Sequence, residues 1–102
     1  MVYAYMRQIP DFPNLTTQQS DILSFSLKKE LTIDKEVVEY ATKNLLLDER
    51  EEFEDFLQTM QDGYTVIISS LYILSDRVEE LVKVINCMLS HNVNLWIVDK
   101  NI

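Results

Sequence analysis

Residues Tyr64 to Ser70 form an almost unbroken apolar run that follows the chain's single glycine, Gly63. The β-branched Thr65, Val66, Ile67 and Ile68 make this run a strand. It lacks the polar alternation of a strand with one wet face, so both of its faces must be covered. That requirement places helices above and below a sheet, and the rest of the chain supplies them.

Val2 to Arg7 reads as a first strand, and Gln8 to Asn14, which holds Pro10 and Pro13, reads as a loop. Thr16 and Gln19 suit a capping box opening a helix. Leu15, Ile22, Leu23, Leu27 and Leu31 follow at helical spacing beside Phe25, which predicts a helix ending near Leu31. Glu36 to Thr42 reads as a second strand, and Lys43 to Leu47 is compatible with helix. A second helix spans Asp48 to Gln61, with Phe53, Phe56, Leu57 and Met60 inward and Gly63 closing it. Asp76 and Glu79 suit the start of a third helix that carries Val78, Leu81, Val82, Ile85, Met88 and Leu89 inward. Asn92 suits its left-handed cap, and Val93 to Val98 reads as a last strand. The order β-α-β-α-β-α-β predicts an α/β three-layer sandwich with a mostly parallel four-stranded sheet and helices on both faces.

With 102 residues, 47 % apolar and 25 % charged, the chain has the balance of one globular domain spanning 1–102. No apolar run is long enough to cross a bilayer, and no signal peptide is recognisable at Met1-Val2-Tyr3. The lone Cys87 fits a reducing compartment, so a cytoplasmic location is expected. The net charge of −8 disfavours free-standing DNA binding, which rests on Lys and Arg displacing counterions. The acidic run from Asp48 to Asp55 reads as a solvated helix face whose first acids favour the helix N-terminus.

Several chemistries fail on residue type. Phosphate-cradling loops need glycines that this chain lacks. A phosphoacceptor Asp after the third strand is replaced by Ser69 and Ser70. Cys87 and His91 stand one helical turn apart, but two ligands do not make a metal site. No cofactor and no metal are expected.

A series of short motifs remains. Tyr5-Met6-Arg7-Gln8-Ile9-Pro10 ends the first strand, and Leu15-Thr16-Thr17-Gln18 opens the first helix. Glu49-Arg50 opens the second helix. Gly63 to Asp76 runs through the third strand into a loop, and Asn92 to Asp99 forms the last strand. In order and spacing, the series resembles the N-terminal catalytic domain of serine recombinases, the resolvase/invertase family. The likeness covers essentially the whole chain with one insertion near Lys43 to Leu47.

The resemblance implies chemistry that this chain does not carry. In that family a serine attacks a DNA phosphodiester, and arginines bind the phosphate as charge develops. The serine position is Ile9 here, whose side chain has no lone pair. An Asp-Arg pair in the family's loop is matched by Tyr72-Ile73, and a later arginine by Asp76. An arginine in such a role can be worth about 10³–10⁵ in rate. Only Arg7, Gln18 and Arg50 match the family pattern, and the two arginines also have structural partners available in acids such as Glu39 or Glu49.

The chain is therefore expected to be a degenerate, catalytically inactive relative of the recombinases, kept as a protein-interaction or regulatory module. It would self-associate as a dimer or bind another protein, with Trp96 on an open sheet edge as the contact residue and DNA reached only weakly or through another chain. The family's long helix and DNA-binding helix-turn-helix domain are not expected within 1–102. The alternatives are an active recombinase using another hydroxyl, among them Thr16, Thr17, Ser20 or Tyr72, and a mobile-element remnant.

Overall fold

The computed structural model describes residues 1–101. Strands β1 (Val2–Gln8), β2 (Lys35–Tyr40), β3 (Thr65–Ile68) and β4 (Asn94–Ile97) form one sheet in the order β2-β1-β3-β4. Every neighbouring pair is parallel. Helices α1 (Leu15–Lys28), α2 (Glu51–Gln58) and α3 (Val78–Ser90) make the connections. The expected three-layer α/β architecture is the one observed.

Strand alternation divides the core in two. Ala4, Met6 and Ile67 point to α1, where they meet Ile22 and Phe25. Tyr3, Tyr5, Val66 and Ile68 point the other way, to Phe53, Phe56, Val84 and Met88 of α2 and α3. All four residues of β3 are buried, as an apolar strand between two helical layers requires.

The helix boundaries depart from the sequence reading, with identifiable causes. Asn14, not Thr16, caps α1: its Oδ1 accepts the Thr17 N–H at 2.8 Å. The helix stops at Lys28 because Glu30 turns left-handed at φ 57°. Leu31 N–H then reaches back to the Ser26 carbonyl at 2.8 Å, and Glu30 N–H reaches the Leu27 carbonyl at 3.3 Å. This is a Schellman closure made without glycine. The inward face of α1 is Gln18, Ile22, Phe25 and Ser26, while Leu23 and Leu27 are exposed.

Helix α2 is shorter than expected. Leu47–Glu49 forms a separate 3₁₀ turn, and Gly63, at φ 83°, turns the chain into β3 instead of capping the helix. Helix α3 buries Val84 and Met88, but Val78, Val82 and Leu89 stay exposed. The apolar arc of α3 is thus wider than the part of it that the core covers. Asn92, at φ 54°, closes α3 as expected, with Val93 N–H reaching the Met88 carbonyl at 2.9 Å.

Candidate functional site

The chain leaves β1 in one direction to reach β2 and leaves β3 in the other to reach β4. In open α/β sheets, ligands bind beyond the carboxyl ends of the strands at such a reversal. Three charged residues converge there. Arg7 lies near the end of β1, Glu39 lies beside it in register on β2, and Arg50 precedes α2. All three are at most 3 % exposed, so their charges must be satisfied inside the protein.

Glu39 is the hub. Its carboxylate accepts the Tyr5 hydroxyl at 2.6 Å, Arg50 Nε at 2.8 Å and Arg50 Nη2 at 2.7 Å. The two-point Arg50 contact matches the fork of a guanidinium to the two oxygens of a carboxylate. Arg50 also donates to the carbonyl of Leu74 and, at 3.2 Å, to that of Ile73. Its Cζ lies 4.2 Å from the Phe53 ring centroid. The Arg50 donors are thereby largely engaged within the fold.

Arg7 is held less completely. Its Nε lies 3.6 Å from Glu39 and makes no hydrogen bond. Its Nη2 donates to Asn44 Oδ1 at 3.4 Å, and Asn44 Nδ2 donates to Asp76 at 3.0 Å. Asp76, at the exposed rim, thus supplies a second negative charge to a cluster with two cations and one internal anion.

Electrostatics follow from this arrangement. Burial, and then the like charge of Arg50, lower the Arg7 pKa, while Glu39 and Asp76 pull it back up. Burial alone would raise Glu39. Hydrogen bonds from Arg50 and Tyr5, with the charges of both arginines, outweigh it and hold the carboxyl below its ordinary value. Burial and the Glu39 charge push the Tyr5 phenol far up, so this hydroxyl stays protonated as a donor to Glu39.

Gln18 anchors the segment that follows. Its Oε1 accepts the Arg7 N–H at 3.0 Å, and its Nε2 donates to the Arg7 carbonyl at 2.6 Å and the Pro13 carbonyl at 2.8 Å. The structure therefore brings Arg7, Gln18 and Arg50 together around one buried network.

Of the other residues singled out in the sequence, Asp76 and the Ile73 carbonyl join this network, and the rest lie outside it. Ile9 is buried in the turn after β1, Ile73 is in the core, and Tyr72 is exposed at 63 %. Trp96 is half-buried on β4, 5.6 Å from the Phe25 ring and with Lys29 Nζ 5.5 Å from its own ring. His91 Nδ1 contacts the Cys87 carbonyl at 2.8 Å, and no group of three metal-capable side chains occurs among the described residues. Sequence reasoning missed Tyr5 and Asn44. Strand alternation could have placed Tyr5 on the face of Arg7, whereas nothing local marks Asn44 in its loop.

The sequence model of the family described as "Resolvase, N terminal domain" matches residues 2–102. This chain belongs to the resolvase N-terminal domain family. Its backbone is similar to that of the N-terminal catalytic domain of TP901-1 integrase, with a TM-score of 0.82 over 99 % of this chain and 78 % of that one. The sequence identity is 15 %, so this likeness speaks for the fold alone. Comparison with curated proteins finds no match. The resolvase domain described here is thus related to site-specific recombination. No helix among its described residues is long and apolar enough to cross a membrane.

Proposed function

We propose that this resolvase domain is catalytically inactive and acts in site-specific recombination through protein contact. The observation that carries this reading is that most of the Arg50 donors are engaged within the fold. A guanidinium that binds a phosphate in a transition state must keep donors free for it, whereas Arg50 gives its donors to Glu39 and to the Leu74 and Ile73 carbonyls. Two further observations support it. The side chain matched to the family's serine is the buried aliphatic Ile9, and the loop position matched to an arginine is the carboxylate Asp76. The net charge of −8 over the whole chain favours protein partners over free DNA. The domain works in the cytoplasm, as a dimer or in a hetero-complex.

Incubation with duplex DNA carrying bridging phosphorothiolates, followed by denaturing electrophoresis, tests the proposal. No covalent protein–DNA adduct is expected. An adduct that survives denaturation would overturn it, and mapping the attachment would show whether Tyr72, Ser20 or another hydroxyl had taken the role.

A further inference from the structure

A cleft of about 470 Å³ opens between α2, α3 and the 3₁₀ turn Leu47–Glu49. Leu46, Leu47, Leu57 and Val84 supply its apolar lining. Leu46 is 45 % exposed, although nothing in its loop requires a leucine to face water. The cleft is fixed in shape. Glu80 of α3 accepts the Leu47 N–H at 2.9 Å and the Ser75 hydroxyl at 2.7 Å, which ties the turn to α3. A second clasp closes the turn on itself, where Glu49 accepts the Leu46 N–H at 3.0 Å.

The rim has one sign of charge in excess. Asp48, Glu54 and Glu80 border the apolar floor, and Lys83 is the single cation among them. Helix α2 also exposes Glu51, Glu52 and Asp55 on its other faces. An apolar floor inside an acidic rim is complementary to an amphipathic segment with leucine-type side chains flanked by lysine or arginine. A second copy of this chain, with a net charge of −8, matches that acidic rim less well than a basic segment does.

We propose that this cleft is the docking site for a basic amphipathic helix of another protein. The proposal rests on the reading of the domain as a protein-contact module and names the surface and the chemistry of its partner. Leucine-type side chains enter between Leu46 and Leu57, and cations of the partner meet Asp48 and Glu54.

Two synthetic helical peptides test it by fluorescence anisotropy with the full chain. One carries a leucine stripe flanked by lysines, and the other has glutamates in place of the lysines. Only the lysine peptide should bind, and more weakly as salt rises. Leu46→Asp, on an exposed loop side chain, should raise its Kd about tenfold or more, equivalent to about 1.4 kcal/mol. Glu54→Lys should also weaken it, with thermal melting confirming that both variants fold. Equal binding of the two peptides, no binding of either, or an unchanged Kd in Leu46→Asp would each overturn the docking site. Sedimentation showing a dimer that Leu46→Asp dissociates would overturn it in favour of a second copy. A covalent DNA adduct would sink the inactive reading alone, so the two failures are distinguishable.

Discussion

The cluster around Glu39 and the cleft beside Leu46 are two ways of handling polar and apolar groups, and they sit on either side of the Leu47–Glu49 turn. In the cluster, charged groups are buried, the Tyr5 hydroxyl and most Arg50 donors find acceptors within the chain, and Arg7 is held mainly by charge. In the cleft, Leu46 reaches the surface, and the exposed Glu54 borders the apolar floor. A buried charge that loses its partner is costly, because water cannot replace it. A surface leucine that is replaced costs little. The contrast separates what holds this domain together from what is free to meet another molecule.

That contrast breaks most visibly at Glu39. Glu39→Ala leaves Arg7 and Arg50 buried without their shared anion, and urea unfolding should show a loss of about 3–5 kcal/mol. The same pair can be broken without a mutation. Folding holds the Glu39 carboxyl below its ordinary pKa, so in acid the unfolded chain binds protons more readily than the folded one. The stabilisation is fully present above the ordinary carboxylate value of about 4.3 and is lost as pH falls through the lowered folded value. Acid titration followed by circular dichroism should therefore show wild type losing stability below that value. A stabilised Glu39→Gln background should show a flatter acid limb.

Gln18→Leu comes next in size. It leaves the Arg7 N–H and carbonyl without their side-chain partner and should cost about 1–3 kcal/mol in the same urea assay. Asn92→Ala, at a left-handed position, should lower stability by about 1–2 kcal/mol, and Asn92→Gly should largely spare it. The smallest effect sharpens the comparison from the other side. Leu46→Asp should leave the unfolding free energy from urea titration within about 0.5 kcal/mol of wild type. A large loss there would mean that the cleft belongs to the structural core.

The layer order and strand number could be read from the chain because period and burial are local signals. The Val66-Ile67-Ile68 run announces a central strand whatever surrounds it. Helix ends were less legible. The stop after Lys28 is made by Glu30 in a left-handed conformation more usual for Gly, Asn or Asp, so no glycine marked it. The outer face of α3 was misread because sequence shows how wide an apolar stripe is, not how much sheet lies beneath it. Val78, Val82 and Leu89 belong to the stripe yet stay exposed. At the site, motif order found Arg7, Gln18 and Arg50 one by one. The meeting of Arg7 with Glu39, and through it with Arg50, depends on the parallel register of β1 and β2, which only the assembled sheet fixes.

The side-chain amide of Gln18 has a consequence for the sheet itself. Pairing of β1 with β3 ends at Ala4 opposite Ile67, while β1 runs on to Gln8. The carboxamide grips Arg7 through both its N–H and its carbonyl, as the peptide unit of an adjacent strand would. It acts as a one-rung prosthesis that prolongs the ladder past the point where β3 departs. A stretch of main chain that would otherwise invite a foreign strand is already occupied, and β3 can afford to be brief.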